Sequence, residues 1–499
     1  MSVATETRTG AAELDALQRW LDGEPADELA AELADSRRWL AALARPEAAG
    51  AMRPPVFEAL LQRLIDAGER VRGQLLTTAV PLPRELYGAV HELQAQLLEV
   101  ANLVEARLGT LPVDSEGAEA AADPASLAGA MHVGVRGLHL GYLLSCLSAA
   151  SAAPGSWRLA HRFGQVTDDS AYRAMLALAA SQPKSFSARE LSWLSDLFLA
   201  EADALRPADG QPAAADWHFD ASADLAPVTG GREAAQAAAR PRHFSLAALL
   251  DRLRHWIAQL DERVVAGAAA GRLSECASFE AADDLPPGLA PTEMLALLRR
   301  VAARWEIVPA REHRRRRKQY EVEICVGLGA RWELARGGQA PGRTSTWRVL
   351  NEDPAGYAIR SVGACAAGLE AGVVIGLRED RQRPWSVCVV RWVRSEMPEH
   401  IELGLQLLAP SFQPAQLAFR AARPHVLVPA LELPAMLPVR PNPAFLVPAG
   451  SHVGRSFVFV REAVRDGQPL YLSQGRALGR DLQTSAVELF QYESDLYPD

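Results

Sequence analysis

The sequence predicts an α+β multidomain protein: an N-terminal all-α helical array, then a six-stranded β-barrel, then a C-terminal β-rich segment. Three observations carry this reading. Apolar residues recur with a helical period through the first two hundred residues. Near residue 320 the period drops to two, the mark of a half-buried strand. From there to the end, short apolar runs alternate with turns rich in Pro, Gly and Asp. A chain of 499 residues is also too long for a single core.

Helices are expected over 12–47, 54–76, 82–107, 124–150, 155–181 and 187–205, where Ala-, Leu- and Arg-rich stretches are divided by Pro, Gly and Asp clusters. Within 54–76, Phe57, Leu60, Leu61, Leu64 and Ile65 form a core-facing stripe. Ser187 and Glu190 have the spacing of a capping box, and Asp168 with Asp169 reads as a helix-joining turn that caps the next helix. The short connections imply antiparallel neighbours in a bundle or solenoid, without a fixed repeat. Residues 206–242 lose periodicity and read as a linker or extended strap. Two more helices are expected at 243–271 and 291–305.

The first strand follows, with Tyr320, Val322, Ile324 and Val326 alternating against Glu321, Glu323 and Cys325. Further strands are expected at 345–350, 356–361, 372–378, 385–394 and 401–408. Six short strands with no helix between them imply a small barrel or sandwich. The tail repeats the pattern at Val426–Val428, Phe445–Val447, Phe457–Val460 and Leu470–Leu472, as a second β module or an extension of the first. The expected domains are therefore a helical domain 1–205, a linker 206–242, a helical lead-in 243–305, a barrel 306–410 and a β-rich domain 411–499.

Composition narrows the function classes. A net charge of −9, with 49% hydrophobic and 23% charged residues, suits a globular protein and argues against a general nucleic-acid polymer binder, which needs a basic surface. Cys146, Cys276, Cys325, Cys365 and Cys388 are scattered and odd in number, which fits reduced thiols rather than a disulfide framework. No basic leader precedes an apolar core at the start, and no apolar run reaches the length of a membrane helix. A cytoplasmic location and no membrane span are the expectations. No GxSxG or HExxH occurs, and GACAAGLEAG (363–372) lacks the ending of a phosphate loop. His132 and His139 share a helix face without a third ligand. The chain is expected not to be an enzyme, with no metal site.

One constellation stands out. Just ahead of the first barrel strand lies REHRRRRKQY (311–320), which places Arg311, Arg314, Arg315, Arg316, Arg317 and Lys318 together in an otherwise acidic chain. About thirty residues on, WRVLNEDPAGYAIR sets Asn351, Asp353 and Gly356 on a turn between two strands. This pairing resembles the PilZ family, whose marks are RxxxR before the first strand and [DN]xSxxG at a later turn. Arg311 and Arg315 fit the first motif; Asn351 and Gly356 fit the second, with Asp353 in place of its serine. WSVCVVRWVR (385–394) and IELGLQLL (401–408) look like the closing strands of such a domain. The resemblance implies a PilZ-like barrel, cyclic di-GMP as ligand and no cofactor. It also implies that Arg311 and Arg315 clamp the ligand, that Asn351 faces a base and that Gly356 shapes the turn. Arg314 with Lys318, or Arg317, could take the clamping roles instead.

The residue chemistry points the same way. A cyclic dinucleotide offers phosphates and flat guanines, and arginine answers both, by bidentate bonds and by stacking. An Asn or Asp can read a guanine edge, and a glycine allows close backbone approach and positive φ. Asp353 opposes this, since like charges about 5 Å apart cost roughly 3 kcal/mol at an effective dielectric of about 20. Taken alone, the arginine run reads as a solvated face and the NEDPAG stretch as an ordinary turn; position joins them. Trp347, Trp385 and Trp392 read as barrel core. The expected function is a cyclic di-GMP effector or adaptor that signals to an unidentified protein partner through its helical region. The alternative is a ligand-independent scaffold with a degenerate PilZ domain.

Overall fold

Backbone chemistry in the first two hundred residues favours helices, and the computed structural model shows them. It describes residues 15–45, 54–109, 124–205, 217–229, 239–269, 285–306, 315–338, 343–363, 365, 368–421, 426–452, 454–461 and 472–494. The chain forms two compact units, one of residues 1–78, 82–180 and 194–246, the other of residues 79–81, 181–193 and 247–499.

The first unit contains α1 (15–21), α2 (Leu29–Leu43), α3 (Pro54–Thr77), α4 (Arg84–Gly109), α5 (Pro124–Leu147), α6 (Ser156–Thr167) and α7 (Ser170–Ala180). α5 carries few polar residues on any side and packs against α3, α4, α6 and α7, the behaviour of a central helix. On α3 the predicted stripe is buried at Phe57, Leu60, Leu61 and Leu64, while Ile65 is half-buried. The single helix expected over 12–47 breaks around Gly23 and Pro25, because neither residue sustains a helix interior. The stretch 155–181 breaks where predicted: Asp168 is left-handed at φ 47°, and Asp169 Oδ1 accepts the Ala171 N–H at 2.6 Å. Arg63 and Glu32, both buried, form a bidentate pair at 2.9 and 3.1 Å.

The expected linker 206–242 is corrected in part. Its described residues contribute to a three-stranded antiparallel sheet of β1 (Trp217–Asp220), β2 (Val228–Thr229) and β3 (Pro241–Phe244), in the order β2-β1-β3. Strands of two to four residues are too short to show a period.

α8 (Ala188–Ala200) begins in the second unit. Its predicted capping box forms, with Ser187 N–H donating to Glu190 Oε2 at 2.9 Å and Glu190 N–H to Ser187 Oγ at 3.4 Å. Then come α9 (Ala247–Ala269) and α10 (Pro291–Glu306), which pack together. Next are β4 (Arg316–Arg317), β5 (Glu321–Val326) and α11 (Leu328–Ala335). The barrel continues through β6 (Thr344–Asp353), β7 (Gly356–Ser361), β8 (Val374–Arg378), β9 (Ser386–Met397) and β10 (His400–Ala409). The order β4-β6-β5-β8-β9-β10-β7, with β7 also paired to β6, closes six strands into a barrel and leaves β4 as an added strip on β6.

The six strands match those expected, but α11 corrects the prediction that no helix lies among them. Its apolar residues Leu328 and Trp332 are only one turn apart, too few to announce a helix in the sequence. The tail is a separate closed barrel of β11 (Gln413–Phe419), β12 (Val428–Leu433), β13 (Ala444–Pro448), β14 (Ser456–Arg461), β15 (Leu472–Gln483) and β16 (Val487–Ser494), ordered β11-β12-β13-β16-β15-β14. Leu470, in the expected strand Leu470–Leu472, lies outside the described residues. This barrel is filled by Phe419, Phe445, Phe457, Phe459, Phe490 and Tyr492.

α11 joins the two barrels. Leu328 and Trp332 share a core with Val374, Val387 and Val389 of the first barrel and Leu431, Leu446 and Leu489 of the second. Trp332 Nε1–H donates to Ala415 O at 2.8 Å. Beside it, buried Arg331 lies 4.3 Å from the Trp385 ring and 4.8 Å from that of Phe412. Burial pulls its guanidinium down to about 10, so it stays charged at neutral pH. Gly376 makes room, since a Cβ there would stand 2.3 Å from Arg331 Cδ. Truncating Trp332 to Ala removes both the ring and the hydrogen bond, and is expected to lower stability by about 3–5 kcal/mol in urea unfolding.

Candidate functional site

The predicted site falls at one end of the first barrel, where β4, β6 and β7 run side by side. Trp347 and Val349 on β6 are fully buried, and Val349 stands opposite Ile359. Continued alternation would send Asn351 into the barrel as well. Instead the register shifts between Val349 and Asn351, so that Leu350 is an extra residue and Asn351 pairs with Ala358. This β-bulge turns Asn351 and Asp353 to the face opposite Trp347 and Val349, and leaves Glu352 on the interior side.

The arginine strip follows the same register. Arg317 is opposite Asn351 and Arg316 opposite Glu352. Lys318 N–H donates to Leu350 O at 3.3 Å. Arg315, one step before the strand, places its Nε 3.5 Å from Asp353 Oδ2. Arg315, Arg317, Asn351 and Asp353 therefore share one face, whereas Arg316 alternates away from it. Arg316 and Arg317 are exposed and have no ion pair among the described residues. Arg311 and Arg314 lie outside the described residues.

Each member of the turn has a distinct task. Asp353 Oδ1 accepts the Ala355 N–H at 2.9 Å, an Asx-turn that closes the β6–β7 hairpin. Its other oxygen faces Arg315, so the carboxylate meets both a backbone donor and a guanidinium. Gly356 is required by close approach rather than by positive φ. A Cβ on it would lie 1.9 Å from Leu405 O, where β7 pairs with β10, and it is not among the positive-φ glycines. Asn351 Oδ1 is buried and has no hydrogen-bond partner among the described residues. A buried acceptor left unpaired costs about 1–3 kcal/mol, which marks the position as one that a donor would stabilise.

Sequence reasoning missed the cluster behind this face. Tyr320 O–H donates to Glu352 Oε2 at 2.6 Å, and Lys318 Nζ lies 3.5 Å from Glu352 Oε1. Burial, reinforced by Glu352, pushes the Tyr320 hydroxyl well above its usual range. Only the strand register, invisible in the sequence, brings these residues together. Of the three tryptophans expected in the core, Trp347 is there; Trp385 and Trp392 are half-buried. Trp392 pairs with Gly404 and packs across it, and Trp385 stacks against Arg331 and Arg378. His132 and His139 part ways, His132 bonding Asp169 and His139 lying 3.3 Å from Ser195 Oγ.

Comparison with known proteins gives this geometry a family. Residues 333–414 match the family model described as the middle PilZ domain of the cyclic-di-GMP receptor FimW, and residues 15–209 match that of its N-terminal domain. The chain is a PilZ-containing protein. The PilZ match contains Asn351, Asp353 and Gly356 but begins after the arginine run. The chain is 32% identical over 90 residues to the cyclic-di-GMP receptor FimW of Pseudomonas aeruginosa, a stretch that covers 18% of this chain and 15% of that relative. No solved structure matches the chain. Among the described residues, no helix is long and apolar enough to cross a membrane.

Because Gly356 sits against a backbone carbonyl, Gly356→Ala must part β7 from β10 at the site. It is expected to cost about 1–3 kcal/mol in urea unfolding, with the loss of the Gly356–Gln406 pairing visible as faster amide exchange there.

Proposed function

We propose that the PilZ domain binds cyclic di-GMP on the face formed by Arg315, Arg317, Asn351 and Asp353, and that the protein acts as a non-enzymatic effector or adaptor. The observation that carries this reading is the buried, unpartnered Oδ1 of Asn351, set opposite Arg317 on one face of the barrel. A guanine presents N–H donors on its edge, which suit that oxygen, and its phosphates suit the guanidinium groups. The relative from Pseudomonas aeruginosa is by name a cyclic-di-GMP receptor, and its likeness to this chain supports the choice of ligand. Arg311 and Arg314 belong to the same arginine segment and would join the clamp.

Asp353 weighs less against binding than its charge alone suggests. Arg315 and the Ala355 N–H already answer its carboxylate, while Arg317, on the same face and without an ion pair among the described residues, is left for phosphate. The cost is that Arg315 must be shared between Asp353 and the ligand. That sharing is also what favours the second reading, a scaffold whose PilZ domain no longer binds.

A path for the signal starts at α10, which leads directly into the arginine segment. Arg300 of α10 pairs with Glu190, and Arg304 donates to Ser181 O at 2.8 Å and lies 4.4 Å over the Phe186 ring. Burial first, and then Arg391 and Arg300 nearby, pull the Arg304 guanidinium down to about 9. Ligand that draws in residues 311–317 would shift α10 against Ser181–Trp193, the segment from which α8 emerges, and so reach a protein partner. Such a shift requires that the ligand favour one arrangement over the other.

Calorimetric titration of the full chain with cyclic di-GMP tests this function. Binding is expected at roughly tens of micromolar ligand or below, weakened at least about tenfold in Arg317→Ala and in Asn351→Ala. Asp353→Ser, which frees Arg315 and keeps a turn-capping oxygen, is expected to bind more tightly than the native chain. No heat from the native chain, with heat from Asp353→Ser, would establish the scaffold reading instead.

A further inference from the structure

The two barrels of the second unit are wired alike. Numbered one to six along the chain, β5 to β10 close in the order 1-2-3-6-5-4, and β11 to β16 close in the same order. Every pairing in both barrels is antiparallel. Bulges interrupt the pairing of the fifth strand with the sixth in both, and that fifth strand has 12 residues in each. Six antiparallel strands can close in many orders, so one order shared by adjacent barrels of a chain marks a repeated module.

The shared order locates the counterpart of the candidate ligand face on the second barrel. Asp353 ends the second strand of the first barrel and pairs with Gly356 at the head of the third, while Asn351 pairs with Ala358. The corresponding pairs are Leu433 with Ala444 and Leu431 with Leu446. The sixth strand continues the match, with Gln406 opposite Gly356 and Gln491 opposite Ala444. Leu431 and Leu433 flank the phase of Ala430, which belongs to the filling of the second barrel, so they face outward as Asn351 and Asp353 do.

That outward face is occupied. Leu431, Leu433, Ala444 and Leu446 are fully buried, in one core with Leu328 and Trp332 of α11. Their side chains offer no donor or acceptor to a guanine or a phosphate. No arginine strip precedes the first strand either, since only Pro410, Ser411 and Phe412 separate β10 from β11. The β12–β13 connection, counterpart of the NEDPAG turn, is tied to the first barrel instead: buried Arg440 donates to Leu408 O of β10 at 3.1 Å and to Pro434 O at 2.8 Å.

We propose that the C-terminal barrel is a second PilZ-type module in which docking has replaced ligand binding: the face that corresponds to the ligand face seats α11 of the first barrel, and the chain carries a single cyclic di-GMP-binding face. The single binding face rests on the function proposed above; the seat for α11 does not. The second barrel thereby serves as a built-in partner of the first, held to it by the leucine face and by Arg440.

Hydrogen exchange in the full chain, without ligand, tests the seat. Leu431→Ala is expected to speed exchange of the α11 amides, residues 328–335, at least about tenfold, while residues 344–361 keep their native rates. Leu433→Val, a smaller truncation, decides the matter in the same direction if the alanine variant does not fold. Unchanged exchange in α11 would overturn the proposal, whether or not the chain binds dinucleotide. Equilibrium dialysis with cyclic di-GMP tests the single face. The Arg317→Ala, Asn351→Ala double variant is expected to bind none at about 100 μM ligand. Dinucleotide still bound by that variant, with exchange slowed at residues 431–446, would place a site on the second barrel and overturn the proposal. A native chain that binds none would defeat the function proposed above and leave the seat to be judged by exchange alone.

Discussion

A single inserted residue decides what the first barrel shows to solvent. Strand alternation is strict, so the phase set by Trp347 and Val349 would turn Asn351 and Asp353 toward the barrel interior. The bulge at Leu350 reverses that phase in the last turn-ward residues of β6. Everything at the candidate site depends on it. Asn351 meets the register of Arg317, Asp353 reaches Arg315, and Glu352 turns inward to Tyr320 and Lys318. The same reversal lets Asp353 cap the hairpin that closes the barrel, while Gly356 clears the way for β10.

The site is also anchored from elsewhere on the barrel. α11 fills the space between the PilZ barrel and the second barrel, and its Trp332 and Arg331 are tied to both by a hydrogen bond and by ring stacking. Rigid support of this kind matters for a binding face made of strand-end residues, because their geometry is only as fixed as the strands beneath them. The arginine strip is the contrasting part. β4 pairs over only two residues, so it is held by far fewer backbone bonds than the strands beside it.

Much of the architecture was legible in the sequence, for reasons that are local. Val322, Ile324 and Val326 alternate cleanly, and Phe57 to Leu64 repeat at helical spacing; both patterns survive without tertiary information. The spacing of Ser187 to Glu190 and the Asp168–Asp169 pair announced caps that the structure contains. Asn351, Asp353 and Gly356 are legible through a motif, whose resemblance implies a base for Asn351 and the turn for Gly356. The opposition between Asp353 and phosphate was foreseen, whereas its pairing with Arg315 required the β4–β6 register. Of the two properties expected of Gly356, close backbone approach is the one the strand contact uses, and positive φ is not. α11, the β1–β3 sheet and the Arg63–Glu32 pair escaped notice because one is too short for a period, one has strands of two to four residues, and one joins positions 31 apart.

The central claim is that the bulge-exposed face, with Asn351 at its centre, receives a cyclic dinucleotide. A crystal structure of the full chain grown with cyclic di-GMP tests it most directly. The account predicts a guanine edge donating to Asn351 Oδ1 and phosphate oxygens on Arg317, with residues 311–315 closed over the ligand. Dinucleotide bound at another surface, with Asn351 Oδ1 still unpartnered, would contradict it.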